Sequence, residues 1–160
     1  MTVSVQHEDF DAGAEIAALR AGDASIGAVA CFIGTVRDIA GDALNRLTLE
    51  HYPGMTEAAL ETIVAEARER FDIIGVRLIH RHGELAPLDQ IVLVAVTSAH
   101  RGEAFSACEF LMDYLKTRAP FWKKEITTTG ERWVEAASTG DEAAERWSAS
   151  AASKVPQQDK

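Results

Sequence analysis

The sequence predicts one α+β domain in which several strands are covered by two main helices. Three observations carry that expectation. Short apolar runs bounded by glycine and proline read as strands. Two longer stretches place apolar residues at helical spacing. A chain of 160 residues, 47% of them hydrophobic, is long enough to bury one real core.

Thr2–Gln6 reads as a short strand, followed by a weak helical stretch over Ala12–Ala21 that Gly22 stops in the left-handed cap conformation. Ile26–Gly34 is a near-continuous apolar run, as expected of a strand buried on both faces. A loop rich in Asp, Ala and Gly (Asp38–Ala43) leads to a strand over Leu44–His51, which Pro53-Gly54 breaks. Thr56 is then placed to cap a helix in which Leu60, Ile63, Val64, Ala67 and Phe71 recur at helical spacing. Strands over Gly75–His82 and Gln90–Ser98 follow, joined by a proline-containing turn. The second helix, Glu103–Arg118, gathers Ala104, Phe105, Ala107, Cys108, Leu111, Met112 and Leu115 on one side until Ala119-Pro120 ends it. Trp122–Thr128 and Glu131–Ala136 read as two strands around a Thr-Thr-Gly turn. Thr139–Trp147 is expected as a short helix. Residues 148–160, mostly Ala, Ser, Lys and Gln, are expected as a frayed tail, which sets the domain at 1–147.

The formal charge of −9 argues against general binding to nucleic acid, whose phosphates need a basic surface, and against adhesion to anionic membranes. No stretch is long enough to span a bilayer, and the N-terminus has early acids and no long apolar run, so a cytoplasmic protein is expected. Cys31 and Cys108 form no spaced pair and sit in apolar patterns, which reads as two buried, reduced thiols.

Against that acidic background, local basic clusters stand out. Thr97-Ser98-Ala99-His100-Arg101 joins a buried strand to a helix N-terminus, where backbone N–H groups point outward and favour anions. His100 can exchange a proton near neutral pH, and Arg101 offers a planar fork for phosphate or carboxylate. Read alone, Arg101 as a surface charge and His100 as a helix-start residue is the preferred reading. At the other end of that helix, Lys116 and Arg118 suit the C-terminal macrodipole, but Lys123 and Lys124 lie beyond Pro120 and lack that excuse. On a strand, Lys123 and Glu125 share a face and Lys124 takes the other. The Lys–Glu pair reads either as a surface ion pair or as a proton-handling pair in which Lys116 lowers the Lys123 pKa. Arg37, leaving its strand through Gly34, is a candidate phosphate contact or a loop arginine without a role. His80, His82 and Glu84 share a strand face compatible with a metal, but with no further ligand cluster the reading as structural or edge histidines is preferred.

The segments Leu49–Thr56 (LEHYPGMT), Thr97–Arg101 (TSAHR) and Asp113–Glu125 (DYLKTRAPFWKKE) resemble the large, catalytic subunits of molybdopterin synthases. Gly34–Arg37, His80–Leu85 and Arg132–Ala136 fall in the matching order, so the resemblance runs from about residue 25 to 147. It implies an α/β hammerhead fold with a mostly antiparallel sheet, and a homodimer bearing a small ubiquitin-like sulfur carrier at each end, a heterotetramer. The carrier's C-terminal Gly-Gly thiocarboxylate would enter the site, and two sulfurs would pass to cyclic pyranopterin monophosphate to form the molybdopterin dithiolene. No cofactor or metal is implied, and no cysteine nucleophile is needed, because the sulfur arrives on the partner.

By position, Lys116 and Lys123 match the family's catalytic lysines. Arg37, His100 and Arg101 match its substrate-anion contacts, with Thr35 and Val36 beside them, and Lys124 and Glu125 complete the stretch after Lys123. Bringing two anions together in a dry pocket requires positive charge to offset their repulsion, which these residues would supply. The chain departs from the family at Thr35, where lysine is common, at Leu88, where the turn often has glycine, and in the tail beyond Trp147. Two other readings use the same basic residues: a non-catalytic module for a phosphorylated metabolite, and a different sulfur- or acyl-transfer enzyme that accepts a ubiquitin-like C-terminus.

Overall fold

The structure, a computed structural model, describes residues 1–38 and 44–134 together with Glu145 and Trp147. Its elements run β1 (Val3–Gln6), α1 (Ala12–Arg20), β2 (Ala28–Thr35), β3 (Leu44–His51), α2 (Met55–Arg70), β4 (Gly75–Arg81), β5 (Gly83–Leu85), β6 (Gln90–Ser98), α3 (Arg101–Arg118), β7 (Phe121–Thr127) and β8 (Gly130–Val134). Two four-stranded sheets result, ordered β1-β4-β6-β2 and β5-β3-β7-β8. Among the described residues only β1 and β4 pair in parallel; every other ladder is antiparallel. The α+β class and the mostly antiparallel sheet are as expected.

The first sheet is covered on both faces, and strand alternation decides which residue meets which layer. Val76 and Leu78 of β4, with Val92, Val94 and Val96 of β6, face α2 and α3. There they meet Leu60, Ile63, Ala107, Phe110 and Leu111 in the main core. Ile79 and Leu93 point the other way, onto Phe10 and Ala12 at the start of α1. Trp147 joins the main core edge-on to Phe71 and Phe110, and its Nε1–H donates to Asp113 at 2.7 Å. The rest of the expected Thr139–Trp147 helix lies outside the described residues apart from Glu145, as does the tail.

Strand β6 is buried along almost its whole length, as its apolar run requires, but β2 is not. β2 is an edge strand, paired with β6 alone, and Phe32 and Ile33 stay 40% and 39% exposed. Cys31 is exposed as well, against the expectation of two buried thiols; Cys108 is buried. Apolar content is the same for central and edge strands, so composition did not separate them.

The start of α2 differs too. Gly54 (φ 83) is its N-cap, and the Gly54 N–H donates to Glu57 Oε2 at 2.6 Å. Thr56, expected as the cap, is instead a fully buried residue of the first turn. Its hydroxyl accepts from the Tyr52 N–H at 3.0 Å and donates to the Pro120 carbonyl at 3.3 Å. The strand expected over Gly75–His82 ends at Arg81, and Gly83 (φ 89) turns the chain into the short β5 of the second sheet. A side chain at Gly83 would also run into the His7 ring.

Leu88 is the one non-glycine residue with positive φ (76°) among the described residues. Its side chain is 87% exposed, so it gains no burial there, while its N–H still donates to the Val36 carbonyl at 2.8 Å. Leucine in the left-handed region costs about 1 kcal/mol, a cost glycine avoids. Leu88→Gly is therefore expected to raise the unfolding free energy by about 0.5–1 kcal/mol in a urea titration. An unchanged or lower midpoint would contradict the strain assigned to this turn.

Candidate active site

Helix α3 follows β6 directly and packs back along β6 and β2. Its C-terminal turn thereby returns to the end of the first sheet where β6 began. Lys116 and Arg118 both sit in that turn, and the structure separates them. Arg118 forks onto both Glu66 carboxylate oxygens at 2.8 Å, with its guanidinium 4.1 Å over the Tyr114 ring. Lys116 is exposed and has no ion pair among the described residues. Ala119-Pro120 ends the helix and the chain reverses into β7, where Thr56 holds the Pro120 carbonyl and the His80 ring stacks on Phe121 (3.6 Å, 16°).

This reversal brings Lys123 beside Lys116. Burial and then the Lys116 charge push the Lys123 pKa down, and Glu125 opposes both. The side chain reaches solvent, yet the walls around it desolvate it. His80 adds no competing positive charge at neutral pH: burial holds its pKa at about 4, although the Nδ1–H bond to the Arg81 carbonyl (2.8 Å) pulls the other way.

Strand register settles the neighbours of Lys123. Lys123 pairs with Leu49 and Val134, and Glu125 with Leu47 and Arg132. Lys123 and Glu125 thus share a face, as the period of two predicts. The Arg132 Nε–H donates to Glu125 Oε2 at 2.8 Å. Lys124 takes the opposite face, where it pairs with Glu131 at 2.7 Å near the Trp133 ring, and that hydrogen bond raises its pKa.

The Thr35–Arg37 segment reaches the same end. The β2–β6 register shifts between Gly34 and Thr35, a bulge that re-aims the chain. Val36 is buried against Leu47, Leu49 and Leu85. Its N–H donates to the Asp89 carbonyl (2.9 Å), and its own carbonyl accepts from Leu88. Val36 is thus an anchor docked on the face that carries Lys123, and it leaves Thr35 and Arg37 exposed on either side.

His100 and Arg101 lie elsewhere. His100 is the N-cap of α3 and Arg101 its first residue, two positions before the expected start. Neither side chain is spent on a cap bond or an ion pair among the described residues. A side chain on Gly27 would collide with the Ala99 carbonyl, so glycine there lets the loop lie against the start of β2. Sixteen residue steps separate His100 from Lys116, about 24 Å at 1.5 Å per step. Within one chain, then, the cations form two groups at opposite ends of α3: Arg37, Lys116 and Lys123 at one, His100 and Arg101 at the other.

Both thiols are held towards the protonated form. Desolvation raises the pKa of Cys31, and that of Cys108 reaches about 11. His80 and His82 also part company. His82 lies 4.3 Å from the His51 ring while His80 is buried on Phe121, and no metal-holding group occurs among the described residues. Thr56 and the Phe121 stack were not identified from sequence as parts of this site. Nor was Arg132, although continuing the period-two reading into β8 would have placed it opposite Glu125.

Fold and cations together define a class: an α+β protein with a lysine pair, Lys116 and Lys123, where α3 turns into β7. The family model described as "MoaE protein" matches residues 5–118, and the chain belongs to that family. The molybdopterin synthase catalytic subunit of Ralstonia nicotianae is 64% identical over 147 residues, covering 91% of this chain and 84% of that protein. The Escherichia coli K12 subunit of the same name is 62% identical over 122 residues, covering 76% and 81%. Among solved structures, the molybdopterin biosynthesis MoaE protein of Burkholderia ambifaria superposes with a TM-score of 0.80 at 60% identity, covering 92% of this chain and 97% of that one. Molybdopterin synthase from Staphylococcus aureus superposes at 0.77 with 32% identity, covering 82% and 96%.

The buried His80 makes stability depend on pH. Its pKa is near 6.5 unfolded and about 4 folded, so the unfolded chain binds more protons between those values. The stability associated with neutral His80 is complete above pH 6.5 and is lost as pH falls towards 4, about 3 kcal/mol at most. Unfolding free energies at pH 7.5 and 4.5 should therefore fall further for the natural chain than for His80→Phe. Equal losses would contradict the buried neutral histidine.

Proposed function

We propose that this chain is the catalytic subunit of a molybdopterin synthase, a sulfurtransferase. It moves two sulfurs, one from the thiocarboxylated C-terminus of each of two small ubiquitin-like carriers, to cyclic pyranopterin monophosphate, forming a dithiolene. The observation that carries this reading is the Lys116–Lys123 pair: two amines brought together, with Lys123 shifted towards its neutral form. Such a pair suits a reaction between two anions. Positive charge on the pair offsets their repulsion, and the lowered Lys123 pKa eases loss of a proton from that amine.

In this mechanism Lys116 acts at the reacting carbons as acid/base and electrostatic clamp, Lys123 assists, and Arg37 adds positive charge from the Val36-anchored loop. His100 and Arg101 hold the phosphate as its ring opens. Water finally releases the carrier from its acyl link, with Glu125 placed to help. Lys124 borders the site from the outer face. The working domain is 1–147, whose last residue Trp147 packs into the main core. A cytoplasmic location agrees with the lack of any helix, among the described residues, long and apolar enough to cross a membrane.

The two separated groups of cations support a homodimer in which Arg37, Lys116 and Lys123 of one protomer meet the partner's His100 and Arg101. The half-exposed Phe32 and Ile33 on edge strand β2 offer apolar surface for a second copy. With a carrier on each protomer the assembly is a heterotetramer.

Mixed with thiocarboxylated carrier and precursor, Lys116→Ala and Lys123→Ala should each lower dithiolene formation about 100-fold or more, read by mass spectrometry. Near-normal turnover in both would sink the assignment, and precursor binding without product in the natural protein would favour the non-catalytic module. A mixture refolded from Lys116→Ala and Arg101→Ala chains tests the shared site. Half of the dimers are hybrids with one intact site each, so activity should return to about a quarter of the natural value. No recovery would place the complete site within one chain.

A further inference from the structure

Arg132 lies outside the cation groups described above, yet it is joined to the site by a direct contact. β7 and β8 are antiparallel, and Glu125 stands opposite Arg132 in the register, with Nε 2.8 Å from Oε2. The Glu125 side chain is only 13% exposed, whereas Arg132 is 56% exposed, so the arginine approaches the carboxylate from the solvent side. Lys123 lies two residues from Glu125 on the same face, and residues so spaced on a strand are about 6–7 Å apart. The cross-strand neighbours of Lys123, Leu49 and Val134, carry no charge. The groups acting on Lys123 are Lys116 from α3 and Glu125 from its own strand, with His80 of β4, itself perturbed by Lys123, also close. Among the described residues, Glu125 is therefore the one nearby carboxylate that could neutralise Lys123.

We propose that Arg132 is a positioning residue: by holding Glu125 across the β7–β8 ladder it keeps that carboxylate off Lys123 and leaves the Lys123 amine free for the anion entering the site. This rests on the reading of Lys123 as a reacting-site lysine. Arginine suits the task because its charge is permanent and its planar head binds a carboxylate oxygen in a defined direction. Without Arg132, Glu125 swings to its remaining cation, pins the ammonium of Lys123 and stabilises its charged form. Lys124 does not substitute for Arg132, because it is on the opposite face and held by Glu131.

The test uses the full chain, first alone and then with carrier and precursor. Competitive acetylation across pH, read peptide by peptide, measures the titration of Lys123 without any turnover. Arg132→Ala should move that titration to higher pH. It should also lower dithiolene formation at neutral pH by about tenfold and shift the pH–rate profile the same way. Arg132→Lys should restore part of both effects, and it serves as the folded comparison if the alanine variant is unstable. In a Glu125→Gln background, Arg132→Ala should change the titration far less, since the carboxylate it controls is gone. An unmoved Lys123 titration in both Arg132 variants would overturn the proposal, as would a shift of the same size without Glu125. A moved titration together with normal turnover in Lys123→Ala would support Arg132 as positioning residue while removing Lys123 from the mechanism, so the two readings fail separately.

Discussion

Helix α3 packs antiparallel to β6, and the two elements have matching lengths. Seventeen helical steps and eight extended steps both span about 26 Å. A helix that starts where the strand ends therefore finishes where the strand began. That match carries Lys116 back to the end of the sheet where β6 began and puts Pro120 beside the C-terminal end of β3. It also sends β7 into the second sheet along β3. Phe110, Leu111 and Ala107 hold the helix down from inside the main core, and Thr56 ties its exit to the start of α2.

Electrostatics then sorts the basic residues. In a chain of net charge −9, carboxylates are abundant, and several cations have found one: Arg118 with Glu66, Lys124 with Glu131, Arg132 with Glu125, Arg77 with Glu15. Arg37, His100, Arg101, Lys116 and Lys123 have no such partner among the described residues. Exposed pairs add little stability, but they separate cations committed to a carboxylate from cations without one. Lys116 and Arg118, two residues apart in one helical turn, show the difference most clearly.

Much of this was legible in the residues. The strand and helix order follows from periodicity, and the shared face of Lys123 and Glu125 follows from the period of two. The depressed Lys123 pKa follows from crowding by Lys116, although burial is the larger cause. The failures have one physical source, which is that local pattern carries no information about distant neighbours. β2 reads as a central strand because its apolar run is the same whether one partner or two lie beside it. Thr56 reads as a cap because the Pro120 carbonyl, 64 residues away, is invisible from its own segment.

The sequence by itself determined the elements, the acidic background, the family and the identity of the candidate cations, since each is set by neighbours within a few positions or by motif. Only the tertiary structure decided which cations stand together. Five basic residues along a chain do not disclose that α3 holds His100 and Arg101 about 24 Å from Lys116, or that Arg132 holds Glu125. Those facts depend on the direction in which a helix packs and the register in which two strands pair. Both are fixed by the burial of side chains far apart in sequence.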